Sequence, residues 1–324
     1  MKTPLVYLLK AAVTIVLVWV LLSKIDLGRF LLEIKNVEFR YFVLVAIVAM
    51  ISWMLNSLRW EALLKIFKIQ TKLYRLFFYN LASVFYSFVL PGGKIAGDVI
   101  LAYQIAKDHS GGKDEKPQAF LTAFLDRGIG LLSMVIFVAG YFIFRHPAFN
   151  YLGPGAFIFG AGVSLAGILG IGFIFSSAFD WFFDIFAKIP LASLRKFLTF
   201  VSQSLKACRS NKPQLIKSLF FAFLSVFISS FSIYFLSRAL ALDISFWTLA
   251  LFNALATILI LVPVTVAGIG LREGALAYLL VRAGINPESA VALSFWNLSA
   301  LLIIALAGGL AEFYYHFLAG KKHD

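Results

Sequence analysis

Six ionisable side chains stand inside otherwise apolar stretches of this sequence. They are Lys94, Asp98, Asp126, Arg127, Arg272 and Glu273. A charged side chain at the centre of a bilayer costs about 2.5–3.5 kcal/mol on insertion scales. Six unpaired charges would cost roughly 15–20 kcal/mol, more than the roughly 5–15 kcal/mol that stabilises a typical fold. We therefore expect them to face each other, a wet cavity or a polar ligand, and we take them as candidate substrate-binding residues.

Three of these side chains are cations and three are anions, which suits a ligand that carries both signs. The cations would bind a phosphate, and the carboxylate of Asp98 or Glu273 would bind an amine. Adjacent residues on a helix point about 100° apart, so Asp126 and Arg127 need separate partners. The same holds for Arg272 and Glu273. We predict pairing between a hairpin and a neighbouring span, such as Asp98 with Arg127; a purely structural ion-pair network is the alternative.

Each group of charges follows a segment rich in proline and glycine that interrupts an apolar run. The residues of these breaks are Pro91, Gly92, Gly93 and Gly97 in the first segment and Pro263, Gly268 and Gly270 in the second. Broken membrane helices free backbone groups and aim helix ends at the interior, where exposed N–H groups can hold an anion. We therefore expect the two breaks to help form the binding site.

The composition indicates an all-α, polytopic integral membrane protein. Hydrophobic residues make up 61% of the chain and charged residues 14%, and the mean hydropathy is +0.90. Apolar runs of about 18–26 residues recur, and each can span a hydrocarbon core about 30 Å thick. No long polar linker separates them, so we predict a single membrane domain over residues 1–324.

Eight membrane segments are predicted, comprising about six full spans and two broken or re-entrant hairpins. The full spans lie near 5–22, 42–58, 118–143, 154–177, 213–238 and 289–316, and the hairpins are 76–106 and 246–281.

The loop charges predict the topology. About two thirds of the 29 Lys and Arg residues, Arg59 among them, fall on the side that also holds both termini. Because cytoplasmic loops carry the excess of Lys and Arg, we predict cytoplasmic termini in the cell membrane. Hairpin 76–106 then enters from the cytoplasm and hairpin 246–281 from outside, which indicates an inverted repeat. Repeat one would cover about 42–143 and repeat two about 213–316; ordinary Pro/Gly kinks are the alternative.

Other features restrict the class of protein. Residues 180–206 interleave aromatic and basic side chains, as an interfacial amphipathic segment does, although a plain connector is the alternative. One cysteine and four histidines without ligand spacing give no reason to expect a metal or another cofactor. The net charge of +13 is distributed by loop, as in a membrane protein, so we expect no nucleic-acid partner. The oligomeric state stays open.

Three short motifs occur in a characteristic order. They are Pro91-Gly92-Gly93 with Gly97-Asp98, then Asp126-Arg127-x-x-Gly130, and then Pro263 followed by Gly268-Ile269-Gly270-Leu271-Arg272-Glu273. In this order they resemble the transmembrane region of lysylphosphatidylglycerol synthases and the stand-alone, flippase-like proteins of that family, over roughly residues 5–315. The resemblance implies two inverted repeats with broken helices and movement of aminoacylated phospholipid between leaflets. It also implies Asp98, Arg127 and Glu273 as site residues.

The sequence departs from the family pattern in two places. Ala96 replaces a glycine of the first break, and no arginine follows Asp98 over residues 99–101. The second break lacks the usual Pro-x-Pro-Gly-Gly. The soluble synthase domain is also not part of the sequence, so we expect no aminoacyl transfer by this chain.

These observations favour translocation of a polar, aminoacylated or isoprenoid-linked lipid headgroup through a central charged cavity, with membrane lipids as partners. No Gly-x-x-x-x-Gly-Lys-Ser/Thr motif is present, so the energy would come from a gradient or from metabolic consumption of the lipid. Two alternatives stay open. One is a membrane-embedded lipid-modifying enzyme in which Asp126 and Glu273 act as acid and base. The other is a partner subunit of a lipid-modifying synthase or a glycosyltransferase.

Overall fold

The computed structural model describes most of the chain. The described residues are 2–23, 25–35, 37–90, 93–108, 115–144, 146–153, 155–177, 199, 202, 205–259, 265 and 267–314. They are predominantly helical, and no strand occurs among them. The all-α prediction is therefore confirmed, whereas the predicted interfacial segment 180–206 lies almost wholly outside the described residues.

Eleven α-helices and one short 3-10 helix follow each other along the described residues. The α-helices are α1 (Lys2–Ser23), α2 (Leu27–Lys35), α3 (Arg40–Ile66), α4 (Leu73–Val89), α5 (Lys94–Asp108), α6 (Glu115–Ile143), α7 (Ala156–Phe175), α8 (Lys212–Ala239), α9 (Phe246–Leu259), α10 (Leu271–Arg282) and α11 (Pro287–Phe313), and the 3-10 helix is Pro147–Leu152.

Five of these helices are long and apolar enough to cross a membrane, namely α3, α6, α7, α8 and α11. The pair α1 and α2 adds a sixth if it is counted as one span bent by 92°. The prediction of a polytopic membrane protein is confirmed, and the exact number of spans stays a prediction. Helix α3 continues to Ile66, beyond the predicted end near residue 58, because Arg59 is accommodated inside the bundle.

Both predicted hairpins are pairs of helices separated by a break. Helix α4 ends at Val89, and the next residue, Leu90, has an extended ψ of 143°, because a following proline disfavours the helical region. Helix α5 begins after Gly93, whose φ is +59°. At the second break, Ala267 has a φ of +52° and Gly268 a φ of +83°. Such left-handed backbone ends a helix, and it costs little at glycine and more at alanine.

Two hydrophobic clusters mark the two ends of the bundle. Val45, near the start of α3, packs in one cluster with Leu236, near the end of α8. Trp60, near the end of α3, packs in the other with Leu215, near the start of α8. Helices α3 and α8 contact each other extensively and therefore run antiparallel through the centre of the molecule.

The two hairpins open at opposite ends of this bundle. Leu76 of α4 and Ile105 of α5 belong to the cluster that contains Trp60. Leu249 of α9 and Leu280 of α10 belong to the cluster at the other end. An inverted repeat requires this arrangement. The repeat itself, with bounds near 42–143 and 213–316, stays a prediction.

Close packing between the halves depends on a glycine. A Cβ atom at Gly308 of α11 would overlap the backbone carbonyl oxygen of Leu81 in α4, and a backbone atom cannot be relieved by a rotamer change. We expect Gly308→Ala to lower the free energy of unfolding by about 1–3 kcal/mol, the usual cost of overpacking. Denaturant titration of the purified protein in detergent micelles would measure this.

The matched control is Gly162→Ala in α7, where an added Cβ would meet no atom within 4 Å. This variant should keep the stability of the natural protein or gain slightly, because alanine is the better helix former. Equal stability of the two variants would show that α11 and α4 do not approach each other this closely.

Candidate functional site

Asp126 of α6 is held by an arginine of α3. Arg59 Nε donates to Asp126 Oδ1 at 2.6 Å and Arg59 Nη2 to Oδ2 at 2.5 Å, and each side chain is only 15% exposed. Such two-pronged pairs are among the strongest that side chains form. The assignment of Arg59 to a cytoplasmic loop was wrong. The apolar residues that follow Arg59 could have revealed its position inside the bundle, since Trp60, Leu63 and Leu64 are buried.

The predicted pair of Asp98 and Arg127 is present and joins α5 to α6. Arg127 Nη2 contacts Asp98 Oδ1 and also lies 3.5 Å from the carbonyl oxygen of Lys94. The Arg127 side chain is 32% exposed and the Asp98 side chain 18%, so this pair is more accessible than that of Arg59 and Asp126. Arg127 and its neighbour Asp126 thus have separate partners, as predicted.

Lys94 is the first residue of α5 and is exposed. Within the described residues its ammonium group has no hydrogen-bond or ion-pair partner, although it interacts electrostatically with Arg127, Asp98, Arg59 and Asp126. We call these five residues the first-break cluster. Three cations face two anions, which leaves one positive charge in excess. No acidic residue occupies the first turn of α5, so this helix end adds further positive potential.

The second break is neutralised internally. Glu273 Oε1 accepts a hydrogen bond from Arg272 Nε at 3.0 Å, and Oε2 accepts one from the Gly270 N–H at 2.8 Å. The expectation that Arg272 and Glu273 need separate partners was wrong, because the long arginine side chain turns back to its neighbour. Glu273 is buried at the third position of α10, where a carboxylate caps the positive helix end.

The two breaks meet. A Cβ atom at Gly93 would lie 3.4 Å from the backbone nitrogen of Ala267 and 3.6 Å from its Cα. The charges of the breaks nevertheless stay apart, since among the described residues no hydrogen bond or ion pair joins Arg272 or Glu273 to the first-break cluster. We call the contact of Gly93 with Ala267 the tip contact.

The predicted break residues have different positions. Gly93, Gly268 and Gly270 lie at the breaks with positive φ. Gly97 instead lies inside α5, where a Cβ would overlap the carbonyl oxygen of Ser83, so it permits close packing of α4 on α5. Three further residues lie outside the described part of the chain, namely Pro91, Gly92 and Pro263.

One partly buried acid escaped the sequence analysis. Glu312, near the end of α11, accepts hydrogen bonds from Gln104 Nε2 of α5 at 2.5 Å and from the Tyr86 hydroxyl of α4 at 3.3 Å. It lies in the last turn of a helix whose one other acidic residue, Glu288, is in the first turn, and the apolar run between the two acids is the signal that could have identified it. Glu312 ties the second half of the chain to the first hairpin.

These features define a polytopic, all-helical membrane protein in which two broken hairpins meet beside buried ion pairs. The family model described as the lysylphosphatidylglycerol synthase TM region matches residues 7–308. The chain belongs to this family, which confirms the resemblance and links the protein to lipid modification or transport. A search of the curated proteins gave no match to this chain.

Proposed function

We propose that the protein moves a lipid with a phosphate-bearing headgroup between the leaflets of the cell membrane. The observation that carries this proposal is the composition of the first-break cluster, in which three basic side chains face two acidic ones beside the point where the two hairpins meet. A polar, aminoacylated or isoprenoid-linked headgroup would cross here, while the hydrocarbon chains stay in the bilayer.

Binding would proceed by exchange of ion-pair partners. The phosphate takes Lys94, which has no ion-pair partner within the described residues, and Arg127, which then releases Asp98. If the headgroup also carries an ammonium group, Asp98 binds it. With a headgroup that carries both charges, no charge is left unpaired in this exchange, so the cost of a buried unpaired charge is avoided. The Asp98–Arg127 pair suits this role because it is the more exposed of the two pairs in the cluster.

The arrangement of the acidic side chains supports a transport function rather than catalysis of a covalent reaction. Asp126 is fully engaged by Arg59, and both oxygens of Glu273 are used by Arg272 and the start of α10. Acid–base catalysis would require these carboxylates to reach a substrate. We infer that the protein is not an enzyme and that its partners are membrane lipids, with a lipid-modifying enzyme as a further candidate.

The excess of Lys and Arg on one side supports cytoplasmic termini and the cell membrane as the location. A reporter that fluoresces only in the cytoplasm, fused to the C-terminus, tests this inference; a dark but intact fusion would reverse the topology.

The proposed function is tested in vesicles that contain the purified protein and phosphatidylglycerol with a fluorescent headgroup. A membrane-impermeant quencher reports the leaflet. We expect transport by the natural protein and a loss of about 10- to 150-fold for Arg127→Gln, because a hydrogen bond to a charged group contributes about 1.5–3 kcal/mol.

Lys212→Gln is the matched control, since Lys212 is an exposed cation at the start of α8 and should be dispensable. Lys94→Gln should be impaired like Arg127→Gln. Transport at natural rates by both cluster variants would refute the site. A covalently altered lipid in the mass spectrum would instead indicate an enzyme.

A further inference from the structure

A cleft of about 90 Å³ lies between α1, α2, α10 and α11. Its walls include Val18, Leu21 and Leu22 of α1 and Phe295 and Leu298 of α11. Apart from Glu273 and Ser294, the residues that line it are apolar. The cleft therefore resembles a binding site for hydrocarbon more than one for a polar ligand.

Neither polar residue of the lining needs a ligand. The Ser294 hydroxyl donates to the carbonyl oxygen of Ala290 at 3.0 Å. The two carboxylate oxygens of Glu273 are bonded to Arg272 and to the Gly270 N–H. Because an apolar cavity without free polar partners does not hold water well, the favourable occupant is apolar.

Membrane lipid around these helices would supply an apolar occupant. Helix α11 is long and apolar enough to cross the membrane, and α1 forms with α2 the bent pair that makes a sixth candidate span. Helix α2 leaves α1 at 92° and exposes Leu27 and Leu31 near the cleft, while Val16 on the outer face of α1 is 55% exposed. Exposed apolar side chains of α1 and α2 therefore flank the cleft, and we take this surface as the entrance for a hydrocarbon chain.

The inner end of the cleft adjoins the tip contact. Ile269 and Gly270 line the cleft and follow Ala267, which contacts Gly93, by only two and three residues. A lipid whose headgroup lies at the tips can therefore place a chain in the cleft. Helix α1 forms the outer wall, and it packs on α10 where Leu17 would lie 3.0 Å from a Cβ at Gly270.

We propose that this cleft binds one hydrocarbon chain of a membrane lipid, with the polar end of the chain directed towards the tip contact. The proposal rests on the proposed function and specifies the lipid-chain subsite of the same transported molecule. It also assigns a role to α1, which walls the subsite and separates the bound chain from bulk lipid.

The test uses vesicles of phosphatidylglycerol with a photoreactive diazirine at the end of one acyl chain. After illumination, mass spectrometry of the protein should find the label concentrated on the cleft walls, over 18–22 and 291–298. Val18→Trp fills the cleft and should reduce this labelling by about tenfold, because no space is left for the chain. Val16→Trp, on the outer face of the same helix, is the matched control and should leave it unchanged.

Labelling spread evenly over the outer face of α1, or unchanged by Val18→Trp, would overturn the proposal. Leu298→Trp narrows the cleft from α11 and repeats the test if Val18→Trp does not fold. Arg127→Gln should lose transport but keep the cleft label. Transport without cleft labelling refutes the chain subsite alone, whereas cleft labelling by a natural protein that does not transport refutes the proposed function alone.

Discussion

Asp126→Ala is expected to lower the free energy of unfolding by about 3–5 kcal/mol, because it leaves Arg59 buried and unpaired. The arginine is 15% exposed and donates two hydrogen bonds to this carboxylate. The pair joins α3 to α6 in the middle of the first half of the chain, so its loss should also loosen the helices that position Arg127. Denaturant titration in detergent micelles measures the change.

Two controls make this result specific. Asp243→Ala removes the partner of Arg238 at the end of α8; Asp243 is 94% exposed, and an exposed pair contributes little, so stability should hardly change. Arg59→Met combined with Asp126→Leu should recover most of the loss, because apolar residues of similar size can replace a buried ion pair. Equal losses from Asp126→Ala and Asp243→Ala would contradict the buried pair.

A disulfide between the two tips is expected to stop lipid transport in proportion to the fraction of cross-linked protein. Translocation between the hairpins requires their tips to separate, since the backbones of Gly93 and Ala267 are in contact. In Gly93→Cys/Ala267→Cys the two cysteines would be within reach of each other: a Cβ at Gly93 would lie 3.6 Å from the Ala267 Cα, so the two Cα atoms are closer than the upper limit of about 6.8 Å for a disulfide. A reductant should restore transport.

The natural cysteine does not disturb this experiment. Cys208 is buried, and burial raises the pKa of its thiol to about 12, so the reactive thiolate is scarce at neutral pH. Gly93→Ser/Ala267→Ser carries similar backbone strain without a cross-link, and oxidant should leave its transport unchanged. Natural transport rates in fully cross-linked protein would show that the headgroup takes another route.

Of the predictions for the charged residues, one pairing was correct and two assignments were wrong, and the difference has a physical reason. The pairing of Asp98 with Arg127 could be predicted because two charges near one hairpin and its next span have few other partners. Arg59 was wrongly assigned, since the first cation after an apolar run looks the same whether it ends a helix or enters the bundle, and only the apolar residues that follow it distinguish the two cases. The prediction for Arg272 and Glu273 was wrong for a related reason. The rule that adjacent helical residues point about 100° apart ignores how far a flexible guanidinium group can reach.

The amino-acid sequence by itself determined the helical membrane class, the family and the positions of the two helix breaks, because hydrophobicity, proline and glycine act locally along the chain. Only the tertiary structure decided that the tips touch, that Arg59 pairs with Asp126, and that Lys94 has no ion-pair partner within the described residues. These features depend on contacts between residues far apart in the chain, and many pairings of the same charges would satisfy the sequence equally well. Packing of α3, α5 and α6 selects one of them.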